Sequence, residues 1–488
     1  MKPLSPLSVR CLLGVVLAAL LSACTSMNDD AQATLSRSAQ AMGSSGLKTL
    51  RYAGVGTGYT FGQAYTPGGA WPKITVHSMT RTLDYESLAL RDEIVLSRAE
   101  PLGGGGYPVS GQQRNDQYLN GEIAWNQTGT TVAPGPRFVT DRIHQLGITP
   151  HGAIKAAQRN GATSRRTADG GSAVSFGEPG RYRATMLIGA DGLVAQVDSV
   201  FADPVLGDTP TVTVYSDYRD FAGVKFPTRV RQSMGGQAVL DLAVTEVQAN
   251  PPVALDVPEA ARNLGERVAI ERVGAGVWFV GGGSHNSVAI EMADHLVLVE
   301  APLTDARTLA VIEQVRALAP GKPLRFIVNS HGHFDHSGGL RAAIGEGATV
   351  VTAAANVPYF ERAFATPNGI RPDRLAQAGK APRFVAVGDR LMMTDAVRAI
   401  EIHAITGAPH AESFLMVYLP QDRLLIEADA FTPAAPNTPP PATPNPYHLN
   451  LIANIERLGL PVDRILPLHG RVVPVADLYA AAGKTAPR

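Results

Sequence analysis

Between about Gly46 and Gln248, apolar and polar positions alternate in runs. TVTVYSDYRDF (211–221), KFPTRVRQSM (225–234) and AVLDLAVTEVQ (238–248) each repeat with a period of two, the signature of a half-buried strand. Turns such as Ala222-Gly223-Val224 and Gly235-Gly236 separate them. RATMLIGADGLVAQVDSVF (183–201) predicts a hairpin that turns at Asp191-Gly192. Strands in such succession predict an antiparallel sheet. The prolines of Asn250-Pro251-Pro252 and Asp256-Val257-Pro258-Glu259 predict a linker, and from about Arg267 the pattern changes. VWFVGGGS (277–284), SVAIEM (287–292), HLVLVEA (295–301) and PLRFIVN (323–329) are apolar strand-like runs. Between the last two, residues 304–319 place Leu309, Ile312, Val315 and Leu318 on one helical face. Strand, helix and strand in that order predict an α/β unit, so the whole chain reads as α+β.

The N-terminus follows a different rule. Met1 to Arg10 carries Lys2 and Arg10 and no acid, and Cys11 to Leu21 is an unbroken apolar run. Those residues rise only about 16 Å as a helix, too little to span a bilayer. A positive start, a short apolar stretch and small residues at a cleavage site describe a secretory signal. Leu21-Ser22-Ala23-Cys24 resembles the bacterial lipobox. The resemblance implies that Cys24 carries lipid and becomes the mature N-terminus, with a plain signal peptide as the alternative. Thr25, where inner-membrane lipoproteins often have Asp, implies the periplasmic face of the outer membrane. The expected organisation is a signal at 1–23, a polar tether at 24–45, a β-rich domain at 46–255, a linker at 256–267 and a catalytic domain at 268–488.

Composition narrows the choices. The 488 residues carry 43 basic and 43 acidic side chains, so net charge offers no case for nucleic acid or an acidic membrane surface. With 45% hydrophobic residues the chain is globular rather than disordered. Two cysteines cannot build a disulfide framework or a Cys-rich zinc site. With Cys11 removed and Cys24 acylated, any metal would rest on His and Asp. The glycine runs at 103–106 and 281–284 lack the context of a phosphate loop and read as turns.

The chemistry concentrates in His331-Gly332-His333-Phe334-Asp335-His336, directly after the strand RFIVNS. Only 12 histidines occur in 488 residues, so three within six positions point to a metal site rather than to composition. A divalent ion needs imidazoles and carboxylates converging to about 2.0–2.2 Å. In an extended loop alternate residues share a side. His331 and His333 therefore suit one ion, and Asp335 and His336 turn toward a second.

This segment resembles the HxHxDH signature of the metallo-β-lactamase superfamily. His410 precedes the strand SFLMVYLP, Asp429 lies in LLIEADAF, and His469 lies in ILPLHGRV. Their steps of 74, 19 and 40 residues from His336 onward follow the family's order over about residues 268–476. The resemblance implies an αββα sandwich holding two zinc ions per chain. It implies one ion on His331, His333 and His410, the other on Asp335, His336 and His469, with Asp429 bridging. It further implies that a water made acidic by the ions attacks a carbonyl or phosphoryl centre, with Asp335 orienting it and taking its proton. The substrate class implied is a small ester, lactone, thioester or lactam. A true β-lactamase and a mononuclear iron enzyme of the persulfide-dioxygenase type are the alternatives.

The N-terminal run, most clearly YSDYRDFAGVKFPTRVRQ, resembles the curved half-barrel of periplasmic lipoprotein carriers, which implies a lipid or apolar partner. Several positions depart from the family pattern. Glu300 stands where many relatives have Asp and is expected to support the ligands. Asp429 argues against a strict β-lactamase, where Cys or Ser is usual, and Phe431 follows it without the tyrosine of quorum-signal lactonases. TPAAPNTPPPATPNP (432–446), with seven prolines in fifteen residues, predicts a stiff loop, a lid or a plain surface connection, with Tyr447 and His448 beyond it. His285 is expected to cap a turn, His403 to pack, and Arg471 to meet an anion. Oligomeric state is left open.

Overall fold

A computed structural model describes residues 30–100, 111–262, 265–436 and 438–486. Thirteen strands between Thr49 and Ala249 form one antiparallel sheet. Neighbours in sequence are neighbours in space along each half of it. The halves join where the first strand, Thr49–Tyr59, pairs with the last, Gln237–Ala249. Its two edges are the four-residue strands Thr131–Pro134 and Thr163–Arg166, too short to template pairing with another chain.

Helices cover one face of this sheet. Val139–Gly147 and Pro150–Asn160 are two of them, the second capped by Thr149 Oγ1, which accepts from Gly152 N. Residues 30–42 are a third. Ala31, Thr34, Leu35, Ser38, Ala39 and Met42 are buried, the three- and four-residue spacing of one helical face. Ser38 Oγ donates to Gly192 O at 2.7 Å, docking this helix on the predicted 191–192 turn. Over its described part, the expected polar tether at 24–45 is therefore corrected to a packed helix. Its buried stripe is largely Ala, Ser and Thr, which reads as polar until the spacing is laid out. Leu35, Met42, Leu146 and Ile154 pack with Tyr52, Met186, Val197 and Phe226 in one core.

Residues 256–262 and 265–267 contain a single 3-10 turn, Glu259–Ala261, and no strand. The first strand of the second domain is Ala269–Gly274. Two sheets follow, of seven and six strands, each in chain order, one ending at Phe384–Val387 and the next beginning at Arg390–Thr394. The strand Leu296–Val299 shows how they pack. Leu296 and Leu298 face the helix Asp305–Leu318, whereas Val297 and Val299 face the second sheet. Val350 and Val351 divide in the same way. Both faces are apolar because both are covered, so these strands read as continuous runs rather than alternating ones. Helices Pro446–Leu458 and Val475–Ala481 cover the outer face of the six-stranded sheet through Leu451, Ile455 and Leu478. The result is the αββα sandwich expected. In the helix Asp305–Leu318 the buried stripe is Thr308, Val311, Ile312 and Val315, while Leu309 and Leu318 are half-buried. The expected face is thus rotated by about one residue.

The hairpin loop at residues 60–72, between the first two strands of the large sheet, reaches the second domain. Phe61, Trp71 and Phe334 meet edge to face, with ring centroids 5.2–5.6 Å apart. Such pairs add about 0.5–1.5 kcal/mol each beyond their buried area.

Candidate metal centre

The candidate ligands sit on the segments that follow strands. The strand Leu324–Val328 ends at Asn329, whose amide donates to Glu300 Oε1 and to His331 O, folding back the loop that carries His331, His333, Asp335 and His336. Asp429 follows the strand Leu424–Glu427, and His469 follows Arg464–Pro467. His410 lies between the strands Ala399–Ala404 and Leu415–Leu419. The strand ends gather residues up to 138 positions apart.

The seven residues, joined by His285, meet as two groups that adjoin at Asp429. His331, His333, His410 and Asp429 bring one donor each within 4.8 Å of one another, and so do His285, Asp335, His336 and His469. Asp429 Oδ2 is 2.9 Å from His410 Nε2, 3.3 Å from His331 Nε2 and 3.1 Å from His336 Nε2, while Oδ1 is 2.7 Å from His469 Nε2. The carboxylate thus touches both groups, as a bridging ligand must.

The hydrogen bonds around the site decide which ring nitrogens are free. Ser330 Oγ donates to the Glu300 carboxylate, so its oxygen accepts from His331 Nδ1 at 3.0 Å. His336 Nδ1 donates to Glu300 Oε2 at 3.1 Å. His469 Nδ1 donates to Ser284 O at 3.2 Å. His333 Nε2 donates to Ala64 O at 3.1 Å. Each bond occupies one ring nitrogen, so that in the neutral, ligating form the other nitrogen's lone pair would face the centre. His336 Nε2 and His469 Nε2 face each other at 3.1 Å, both against the Asp429 carboxylate. His333 Nδ1 is buried with no hydrogen-bond partner. The donor set fits a metal.

Charge points the same way. Burial pushes His331 down to about 3 and His333 well below the usual imidazole range, keeping both neutral as ligands require. Burial opposes charge on His336 as well, yet Asp429 and Asp335 hold it well above the usual value. Burial likewise opposes charge on Asp335 and Asp429, but the surrounding imidazoles, His336 foremost, keep both carboxyls well below the usual range. The pocket is built for positive charge between these groups.

The remaining predicted residues fall into place around this centre. Glu300 is fully buried and serves the ligands through His336, Ser330 and Asn329. His285 is not merely a turn cap: its Nε2 lies 3.1 Å from Asp335 Oδ2 and its ring centroid 4.2 Å from that of His469. A lone His after Gly-Gly-Gly-Ser suggested a turn, and only the fold shows where its ring points. Tyr447 stands edge-on to His410 with centroids 5.5 Å apart and accepts from Arg98 Nη1 of the N-terminal sheet at 2.9 Å. His448 packs on Phe431. His403 pairs with Glu401 at 2.8 Å, outside both donor groups. Arg471 reaches Ala434 O in the Pro-rich loop and Asp477. Gly281 ends a strand and begins a turn, as expected. Cys11, Cys24 and the glycine run at 103–106 lie outside the described residues.

Gln63 and Ala64 had no sequence signal. Gln63 Nε2 donates to Asp335 Oδ1 at 2.8 Å, and the Ala64 carbonyl holds His333. A glutamine in a Gly-rich turn has no pattern, and a carbonyl belongs to every residue.

A family model described as the metallo-β-lactamase superfamily matches residues 280–469. No curated protein matches the chain. Among solved structures, a metallo-β-lactamase from Pontibacter korlensis is 16% identical, covering 44% of this chain and 98% of that one, with a TM-score of 0.35. The metallo-β-lactamase FIM-1 from Pseudomonas aeruginosa, in a mono-zinc form, is 21% identical over 45% and 95% of the two chains, with a TM-score of 0.33. The stereoselective inverting sec-alkylsulfatase Pisa1 from Pseudomonas sp. is 20% identical over 42% and 39%, with a TM-score of 0.31. Residues 280–469, which carry all the clustered ligands, are thus the part of the chain that is similar to the metallo-β-lactamase superfamily, and the thirteen-stranded sheet lies outside the match.

Proposed function

We propose that the protein is a metal-dependent hydrolase with a two-zinc centre, acting on a small ester, lactone, thioester or lactam. The observation that carries this reading is Asp429 lying between two groups of His and Asp donors and touching both. His331, His333 and His410 would hold one ion, and His336, His469 and Asp335 the other, with His285 beside them. A bound pair of divalent ions lowers the pKa of water toward neutrality and polarises the electrophile.

The chain's own groups do the rest. Asp335 is ionised and about 30% exposed, whereas the His331 and His336 side chains are fully buried. Substrate and water therefore approach from the side of Asp335, Asp429 and His469. Asp335 orients the attacking water and accepts its proton, while His285 and Gln63 hold the two carboxylate oxygens. Tyr447, next to His410, flanks the same approach.

The test is hydrolysis of an ester, lactone, thioester and β-lactam panel by purified full-length protein loaded with zinc. Turnover lost in His333→Ala, with the fold retained, is the expected result. Silence across the panel from zinc-loaded protein would sink the proposal. Turnover of nitrocefin alone would instead select the β-lactamase reading, and one iron per chain by elemental analysis the dioxygenase reading. We further propose attachment to the periplasmic face of the outer membrane through lipid on Cys24. Fractionation should move Cys24→Ser from the membrane pellet to the soluble fraction, and an unchanged distribution would refute the anchor.

A further inference from the structure

We propose that the loop at residues 60–72 of the N-terminal sheet is a working part of the metal centre, so that the hydrolase is assembled from both domains. The inference rests on the metal-dependent reading above. It concerns Gln63 and the Ala64 carbonyl as positioning groups, neither of which touches a reacting atom.

The argument begins with a ring. His333 is buried, and an imidazole that binds a metal carries hydrogen on one nitrogen and a lone pair on the other. A carbonyl can only accept. The 3.1 Å contact from Nε2 to Ala64 O therefore puts hydrogen on Nε2 and the lone pair on Nδ1. Nδ1 is the nitrogen left buried and unpartnered beside His331, His410 and Asp429. Without Ala64 O, this imidazole loses the bond that selects its ligating tautomer. The other ring partners identified around the centre, Ser330, Glu300 and Ser284, come from the sandwich itself, so among these imidazoles His333 is the one held from the first domain.

Gln63 acts on the second group. Its side-chain amide donates to Asp335 Oδ1, leaving Oδ2 toward His285 and His336. One loop thus contacts a ligand in each group through consecutive residues.

The loop is held to this task by its own contacts. Phe334 N donates to Gly62 O at 3.1 Å, Glu412 N to Tyr65 O at 2.9 Å, and Tyr65 OH to Ala408 O at 3.1 Å. These bonds attach it to both ligand-bearing segments, the one at 331–336 and the one at 410. Gly62 has φ +78°, and a Cβ there would stand 2.6 Å from the Phe334 ring. Only glycine lets the backbone come this close.

The test reads the metal directly and needs no substrate. Zinc affinity is measured by chelator competition, and the ligand field by the visible spectrum of the cobalt(II)-loaded full chain. The variants are Gln63→Ala, Gln63→Glu and Gly62→Val, with Gly129→Ala as control. Gly129 has a similarly positive φ, +58°, but no atom near its Cβ position. Gly62→Val is expected to lose about 10–100-fold in affinity and to alter the cobalt spectrum. Gln63→Ala is expected to lose about 10-fold, near the lower end of outer-partner substitutions, and Gln63→Glu more, since it sets a carboxylate against Asp335. The control is expected to match wild type. Folded Gln63 variants with wild-type affinity and spectrum would overturn the proposal even if Gly62→Val fails to fold. Failure of the wild type to bind zinc or cobalt would overturn the underlying metal reading instead.

Discussion

Glu300 meets no reacting atom, yet its carboxylate orients His336 directly and His331 through Ser330. Its backbone sits at φ +76°, a region that costs a non-glycine residue about 1–3 kcal/mol, and Glu300 N donating to Val328 O at 2.8 Å helps hold it there. Glu300→Gln should keep the volume and weaken the charge-assisted bonds, lowering zinc affinity by about 10–100-fold in a chelator competition. His285→Ala should weaken the second ion while leaving the first, so that a titration shows one tight and one weakened equivalent. His144 is a different case. It is buried, its Nε2 lies 2.8 Å from Ser199 Oγ, and burial pushes it down to about 3. A histidine depressed in the fold takes up its proton more readily when unfolded. Its contribution is therefore intact above about pH 6.5 and is lost as pH falls toward 3. At pH 5 this removes about 2 kcal/mol of stability relative to pH 8. Urea melts at the two pH values should show His144→Gln losing less than wild type by about that amount. Among single residues, the six-residue His/Asp run was readable because its density exceeds anything composition allows. His410, Asp429 and His469 were readable only as a spaced set after strands. His285 was not, because one histidine beside glycines fits a turn equally well.

The elements repeat that lesson. Strands buried on both faces show as apolar runs, so 287–292, 295–301 and 323–329 were plain in the sequence. The helix at 30–42 was missed because its buried stripe is made of small and polar side chains around Leu35 and Met42. Leu35→Ala should cost about 2–5 kcal/mol in a urea melt. A tether would lose nothing measurable, which makes this substitution a direct test of the packed helix. In the sandwich, Leu298→Ala should cost a similar amount, about 2–5 kcal/mol, by opening a void between its sheet and the helix Asp305–Leu318.

At the level of the molecule, the meeting of the two domains was the least readable feature. Gln63 and Asp335 are 272 residues apart, and nothing in either local pattern announces the other. Trp71 offers a way to see the contact. It lies 5.6 Å from the ring of Phe334, whose neighbours in sequence are His333 and Asp335. Zinc titrated into the metal-free chain should shift the tryptophan emission, and Trp71→Phe should remove most of the shift while Trp125 and Trp278 remain. An unchanged response in Trp71→Phe would place the signal elsewhere.

The pairing that joins the two halves of the large sheet has a mechanical consequence. Leu50, at the start of the first strand, lies opposite Ala249, at the end of the last. A pull on the chain through these two points would load the cross-strand hydrogen bonds one after another from the same end. The sheet would peel like a zip instead of resisting in shear. Single-molecule stretching across residues 49 and 249 should accordingly find a low-force opening at that seam.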